Sequence, residues 1–237
     1  MKNIKILHLL PDLLSLYGEY GNVAILEKVL KDNGHSVTVQ KWNGGELALS
    51  SADFIYIGSG TEENLMEAVK RLLPYQEVIA ESIDSGKLWL ATGNAPALFG
   101  KSVTWKESNQ EALAVASFET AIDTTKRFLG DVLTEDYLGA PMLGFINTSC
   151  IMKDVPPIMT IRLNPKLGND KQSSGEGFRI CNFYATQLIG PVLTKNPHFL
   201  AHIYEKLTGE VLQIIADTNL AKAYAVSLSE LTKRLNN

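Results

Sequence analysis

The residues best placed for chemistry lie in a strand, turn and helix pattern near the middle of the chain. The apolar run of residues 87–91 stops at Gly93 and Asn94, and Pro96 then opens a short apolar segment. Because proline is favoured in the first turn of a helix, we predict a strand, a tight turn and a helix. In many α/β enzymes such a turn is a nucleophile elbow, which presents a Ser or Cys beside backbone amides. Gly93 stands at the apex, so we expect the bend without a reactive group.

Other side chains with reactive groups have simpler explanations. Cys150 follows an apolar run and Cys181 lies within one, and free cysteine is among the most buried residue types, so we expect both to be buried. Ser59 has no base nearby in the sequence, so a turn role is favoured. His198 and His202 lie four residues apart on a predicted helix but lack the Glu of the zincin pattern and a third ligand. No metal site is therefore expected.

Residues 95–102 also match a permissive phosphate-loop pattern that ends in Gly-Lys-Ser. A phosphate loop surrounds phosphate with backbone amides and is followed by a helix. Pro96 removes one of these amides, and residues 103–105 favour a strand. Pro96 and the strand-like residues 103–105 therefore argue against nucleotide binding at this loop.

Composition indicates one α/β domain over residues 1–237. The 237 residues are 45% hydrophobic and 20% charged, which is enough apolar material for a large core. The 22 basic and 26 acidic residues leave a net charge of -4 without a long run of either sign. This balance favours a small molecule or a protein as the partner and argues against nucleic acid.

The cysteine count and the hydropathy pattern favour the cytoplasm. Two cysteines are too few for a disulfide framework, and no stretch approaches the roughly 20 apolar residues of a membrane span. The apolar residues 4–10 end at Pro11, which indicates a first strand and argues against a signal peptide.

The first half of the chain alternates predicted strands and helices. Such a βαβ order predicts a parallel sheet. Thr61 is predicted to cap a helix whose first turn holds Glu62 and Glu63. The predicted strands are residues 4–10, 36–40, 54–57 and 87–91, and the predicted helices run from about residue 23 to 33, from 62 to 74 and from 77 to 85.

The second half has a less regular pattern. An uncertain segment covers residues 119–137, an exposed loop covers 167–177, and a helix is predicted from Pro197 to Gly209. One or two terminal helices, with Leu212, Ile215 and Leu220 among their apolar positions, are expected to pack on the sheet. The predicted strands are residues 103–105, 113–116, 142–146, 158–163 and 178–184.

Several segments together resemble a known family. They are residues 16–22 (Leu-Tyr-Gly-Glu-Tyr-Gly-Asn), 57–63, the elbow, 144–147, 175–177 and 188–197 (Leu-Ile-Gly-Pro-Val-Leu-Thr-Lys-Asn-Pro). Their order resembles the class I glutamine amidotransferase domains of the cobyric acid synthase type, most closely the glutaminase subunits of lipid II isoglutaminyl synthases. The resemblance covers nearly the whole chain. It implies a mostly parallel central sheet flanked by helices, a flavodoxin-like three-layer sandwich.

The resemblance also implies which positions carried chemistry in active members. There a Cys at the elbow attacks the side-chain amide of glutamine, backbone amides form an oxyanion hole, and a late His transfers protons. By position the Cys becomes Gly93, the His becomes Ile189 and the Gln beside the nucleophile becomes Ala97, while the Asn-His-Gly-Gly-Arg segment becomes residues 147–151. The family fold is thus expected without glutaminase activity.

Two functions remain as hypotheses. The first is a non-hydrolysing partner or regulatory subunit of a Mur-ligase-like amide-forming synthetase in cell-wall precursor metabolism. The alternative is an enzyme of altered chemistry, or a small-molecule or nucleotide-binding protein, that uses the elbow pocket with Ser59, Thr61, Asn94 or Glu62 as polar groups. No cofactor is expected in either case. The expected ligand-binding residues are Gly58, Ser59, Gly60, Thr61, Asn94 and Ala95.

Overall fold

The computed structural model describes residues 1–214 and 218–236. The described helices are α1 (Gly21–Asp32), α2 (Glu62–Leu72), α3 (Gln76–Asp84), α4 (Val192–Lys195), α5 (Pro197–Thr208) and α6 (Asn219–Leu235). The described strands are β1 (Asn3–Leu9), β2 (Ser36–Trp42), β3 (Phe54–Ile57), β4 (Leu88–Thr92), β5 (Ser102–Trp105), β6 (Ser108–Glu111), β7 (Glu119–Ile122), β8 (Phe128–Tyr137), β9 (Ala140–Thr148), β10 (Cys150–Lys153), β11 (Met159–Leu163), β12 (Gly175–Glu176), β13 (Phe178–Ile180) and β14 (Phe183–Thr186).

The central sheet has six strands in the order β13-β14-β4-β3-β1-β2. The pairs from β14 to β2 are all parallel, and β13 is an antiparallel edge strand. Parallel strands need crossover connections, which α1, α2 and α3 supply in the first half of the chain. The prediction of a mostly parallel α/β sheet is confirmed.

Strands β3, β4 and β14 are buried on both faces of the sheet, which explains why they read as nearly continuous apolar runs. Alternate side chains of each strand point to opposite faces. One face packs on α2 and α3, and the other packs on α1 and α5. Leu7, Leu9, Ile55, Ile57 and Trp89 lie on the first face. Ile6, Phe54, Tyr56, Leu90 and Tyr184 lie on the second.

Two smaller sheets flank this body. One has the order β10-β7-β5-β6, and the other has the order β12-β11-β8-β9. Helix α6 covers the second of these sheets, because Tyr224, Leu228 and Leu231 pack against a cluster that includes Leu133 and Leu143. The predicted terminal helix is therefore found, although Leu212 precedes it and Ile215 lies outside the described residues.

The strand predicted for residues 113–116 is wrong. These residues form a loop in which Ala114 has a φ of 49°. The Leu113 N–H donates to Leu98 O at 2.9 Å and the Ala116 N–H donates to Phe99 O at 2.9 Å. The apolar residues are thus used to cover the short helix after the elbow, and their backbone does not join a ladder.

The single strand predicted for residues 178–184 is also wrong, because the chain reverses within it. Strands β13 and β14 form an antiparallel hairpin, and its turn places Cys181 at a φ of 51°. Cys181 is consequently exposed, which corrects the expectation that it is buried. The segment of residues 119–137, whose structure was uncertain from the sequence, contains β7 and β8, and β8 occupies more than half of it.

None of the helices within residues 1–214 and 218–236 has the length and apolar character needed to cross a membrane.

Candidate functional site

The elbow has the predicted course of strand, tight turn and short helix. Strand β4 ends at Thr92, Gly93 turns the chain with a φ of 66°, and a 3-10 helix follows from Ala95 to Phe99. Glycine adopts this positive φ without the strain that a Cβ atom would add. Strand β5 begins at Ser102, where a phosphate loop would instead continue as a helix.

The space above Gly93 is filled by two buried side chains. A Cβ atom placed on Gly93 would lie 2.4 Å from the Cβ of Ser59 and 3.0 Å from the Cγ2 of Ile189. Both residues are almost completely buried, at 2% and 3% exposure. The Ile189 N–H donates to Phe145 O at 2.8 Å, which holds Ile189 in place. The position of an attacking side chain is thus occupied by the protein itself.

Asn94 ties the loop after β3 to the elbow. Its Oδ1 accepts hydrogen bonds from Ser59 Oγ at 3.2 Å and from the Gly60 N–H at 3.0 Å, and its Nδ2 donates to Gly60 O at 2.8 Å. The Gly60 amide is therefore already bonded within the protein.

Five of the six expected ligand-binding residues meet at this point. Gly58, Ser59, Gly60, Asn94 and Ala95 are all buried there. The sixth, Thr61, has a different visible role, because its hydroxyl accepts from the Asn64 N–H at 3.1 Å and caps α2. Their role in ligand binding stays a prediction.

Glu19 connects three segments beneath the elbow and was not found by sequence reasoning. It is 0% exposed, and its Oε1 accepts from the Gly190 N–H at 3.0 Å. Its Oε2 accepts from the Tyr56 hydroxyl at 3.1 Å and from the Thr92 hydroxyl. Thr92 and Glu19 resemble a nucleophile with its base, but both are 0% exposed and out of reach of a substrate. The one sequence signal that pointed to Glu19 was its place in the Leu-Tyr-Gly turn.

Burial raises the pKa of Glu19 from 4.5 to about 7, against hydrogen bonds from Thr92, Gly190 and Tyr56 that lower it. Because the pKa is higher in the folded chain than in the unfolded chain, the unfolded chain ionises first as the pH rises. The stability that comes from this difference in pKa is therefore fully present below about pH 4.5 and is lost as the pH rises to about 7.

Glu19→Gln removes this titration, which makes a pH-dependent prediction. The free energy of unfolding of the variant, relative to that of the unchanged protein, should rise by about 3 kcal/mol between pH 4.5 and pH 7.5. Urea unfolding at several pH values measures this difference. Glu63→Gln, at an exposed carboxylate of α2, controls for the loss of one negative charge. A Glu19→Gln difference that is constant with pH would show that Glu19 does not titrate in this way.

A charged cluster that includes Glu62 and Arg127 lies beside the elbow loop. Glu62 Oε1 accepts from Arg127 Nη1 at 2.6 Å and from Ser149 Oγ at 2.7 Å, and Arg127 Nε donates to Asn147 Oδ1 at 2.7 Å. Partial burial opposes ionisation, but hydrogen bonds from Ser149 and Arg127 hold the pKa of Glu62 below its usual value. Glu62 is thus a bonded carboxylate and not a free acid or base. Arg127 was missed because it lies in the segment with no regular pattern.

The two cysteines have different surroundings. Cys150 is buried as expected, and burial raises the pKa of its thiol to about 11. A thiol with a raised pKa is a poor nucleophile, because the thiolate is the reactive form. Cys181 lies in the exposed turn between β13 and β14.

Two of the four histidines form hydrogen bonds with tyrosine hydroxyls. His202 Nε2 lies 2.7 Å from the Tyr184 hydroxyl, and His35 Nε2 lies 3.0 Å from the Tyr204 hydroxyl. The Nε2 atoms of His8 and His198 are buried without a hydrogen-bond partner in the part of the chain that the structure describes. The described residues also contain no group of three or more His, Cys, Asp or Glu side chains that could hold a metal ion.

Two solved structures share the fold of this chain. A crystal structure of a glutamine amidotransferase matches 86% of this chain and 99% of its own chain with a TM-score of 0.54 and 15% identity. A chain of the PurLQS structure from Thermotoga maritima matches 95% of this chain and 99% of its own with a TM-score of 0.50 and 10% identity. The fold is that of the glutamine amidotransferases.

Sequence comparison finds relatives of this chain among the glutaminase subunits. No protein-family model matches the chain. The chain is 27% identical over 209 residues to the lipid II isoglutaminyl synthase (glutamine-hydrolyzing) subunit GatD of Staphylococcus aureus (strain N315), covering 87% of this chain and 85% of the relative. It is 26% identical over 200 residues to the GatD subunit of Streptococcus pneumoniae (strain ATCC BAA-255 / R6), covering 81% and 76%. The chain is thus similar in fold to glutamine amidotransferases and similar in sequence to GatD.

Proposed function

We propose that this chain is a non-hydrolysing subunit of a Mur-ligase-like amide-forming synthetase in cell-wall precursor metabolism. The observation that carries the proposal is the filled elbow, where Gly93 has no side chain and Ser59 and Ile189 occupy the space above it. The proposal includes one cytoplasmic domain over residues 1–237 and the cobyric acid synthase type of amidotransferase as its nearest class.

Glutamine hydrolysis by this class needs a thiolate at the elbow and a base that keeps it ionised. Gly93 supplies no atom to attack the amide, and the Ile189 side chain has no group that accepts a proton. Burial keeps the Cys150 thiol protonated, with its pKa raised to about 11. The proposal is therefore that the chain has neither the thiolate nor the base at the two positions to which the resemblance assigns them.

The pathway comes from the names of the two relatives, and the Mur-ligase-like partner comes from the family resemblance. Both relatives are named as a subunit of lipid II isoglutaminyl synthase, and the chain covers 85% and 76% of their lengths. We infer that it docks on the synthetase as the active subunits do, and stabilises or regulates that partner.

The filled elbow also bears on the alternative function. An enzyme of altered chemistry at this site needs a space in which the substrate reaches Ser59 or Asn94. Ser59 and Asn94 are 2% and 7% exposed and hydrogen-bond each other, so this geometry favours the non-hydrolysing subunit.

Co-expression with the Mur-ligase-like synthetase of the same organism tests the proposal. We expect the two chains to elute together in size-exclusion chromatography, and the complex to form the amide from ammonium but not from glutamine. The S. aureus relative with its own synthetase is the positive control for glutamine-driven amidation. Separate elution of the two chains, or amidation that uses glutamine, would refute the proposal.

A further inference from the structure

A groove runs between α6 and the body of the protein, behind the loop that carries Ile189. It has a volume of about 370 Å³. This volume falls within the range of about 300–1,000 Å³ that is usual for small-molecule sites. We call it the α6 groove, and the lining residues that matter here are Leu143, Thr194, Lys195, Tyr224, Ser227 and Leu231.

The floor of the α6 groove is apolar and its sides carry hydroxyl groups. Leu143 is 2% exposed and packs with Leu231 of α6. The Tyr224 hydroxyl donates to Pro141 O at 2.8 Å, which fastens the helix to β9 and fixes the width of the groove. Thr194 of α4 and Ser227 of α6 both line the groove. A ligand would therefore place an apolar body on leucine and its polar atoms near these hydroxyls.

One cation of the groove, Lys195, makes no direct ion pair among the described residues, although the buried Glu19 carboxylate acts on it electrostatically. Asp131 pairs with Arg234, and Glu230 pairs with Lys233 at 2.6 Å. Lys195, in contrast, has no carboxylate within 4.0 Å of its Nζ in the described ranges 1–214 and 218–236. Its ammonium group is exposed at the mouth of the groove, so an anion reaches it without breaking an ion pair.

Lys195 also lies next to the loop that carries Ile189, the residue that the resemblance aligns with the catalytic His of active members. A Cβ atom placed on Gly190 would be 3.2 Å from Lys195 Nζ. The mouth of the groove is therefore adjacent to the elbow region but outside the space that Ser59 and Ile189 fill.

We propose that the α6 groove binds a small amphipathic anion, a molecule with one apolar ring system or chain and one carboxylate, sulfonate or phosphate group. The apolar part lies on Leu143 and Leu231, and the anionic group pairs with Lys195. This assignment does not depend on the proposed role as a subunit, because none of its residues fills the space above Gly93.

A pair of fluorescent probes tests the proposal on the full chain. The first is 1-anilinonaphthalene-8-sulfonate, and the second is N-phenyl-1-naphthylamine, which has the same rings without the sulfonate. We expect saturable binding of the sulfonate probe at one site. Lys195→Met should weaken this binding about tenfold and leave the neutral probe unchanged, because it removes one charged contact. Lys70→Met, on α2 at the opposite face of the sheet, should change neither probe.

A second variant tests the groove without changing charge. Ser227 is exposed on α6, so Ser227→Phe fills the groove without entering the core and should abolish saturable binding of both probes. If this variant fails to fold, Lys195→Met still decides the question. The proposal is overturned if the sulfonate probe shows no saturable binding, or if Lys195→Met leaves its Kd unchanged.

Discussion

Replacing Gly93 by alanine is expected to lower the free energy of unfolding by about 3–5 kcal/mol. The added Cβ would lie 2.4 Å from the Cβ of Ser59, and the residue would have to keep a φ of 66°. Ser59 cannot simply rotate away, because the clash is with its Cβ and Asn94 holds its hydroxyl. The loop after β3 must therefore move. Urea unfolding followed by circular dichroism measures the loss.

Gly209→Ala separates the two causes of this loss. Gly209 has a φ of 75°, and no atom lies within 4 Å of a Cβ placed there. The variant bears the cost of the backbone conformation alone, about 1–2 kcal/mol. A Gly93→Ala loss no larger than the Gly209→Ala loss would show that the elbow is open.

Gly93→Cys, in turn, should release no ammonia from glutamine, since Ile189 cannot accept the thiol proton.

Replacing Glu19 by alanine is expected to cost about 3 kcal/mol of stability at neutral pH. The change leaves the buried Gly190 N–H without its acceptor and takes one partner from the Tyr56 and Thr92 hydroxyls. It also opens a cavity where β4, the Leu-Tyr-Gly turn and the loop of Gly190 meet. Thermal and urea unfolding at pH 7.5 measure the loss.

Glu19→Gln is the matched control, because it keeps the size of the side chain. Its amide oxygen still accepts from the Gly190 N–H, and its amide group donates to hydroxyls that rotate to accept. The glutamine variant should therefore remain within about 1 kcal/mol of the unchanged protein at this pH. Equal losses in the alanine and glutamine variants would contradict the account of Glu19 as the acceptor that joins three segments.

The first half of the fold was predictable because its signals are local. Thr61 caps α2 as its side chain suggests, and the runs that became β1, β3 and β4 are buried on both faces. The second half was less predictable because its pairing partners are distant in sequence. Strand β7 lies beside β5 and β10, and nothing in residues 119–122 identifies these partners. The reversal at Cys181 interrupts an apolar run that lacks Gly and Pro.

The candidate site divides in the same way. The absence of a reactive group at Gly93 follows from the sequence, given the elbow and the resemblance. The filling of the elbow does not, because Ser59 and Ile189 reach Gly93 from segments that only the folded sheet brings together. Glu19 and Arg127 escaped prediction for the same reason, since their partners lie far along the chain.

The most direct measurement is ammonia release from glutamine by the purified chain, compared with a protein-free blank. The Cys150→Ser and Cys181→Ser variants are measured beside it, because these are the two thiols of the chain. The account predicts no turnover above the blank for any of the three proteins. Turnover by the unchanged chain that either serine substitution abolishes would contradict it, because a working thiol would then exist outside the elbow.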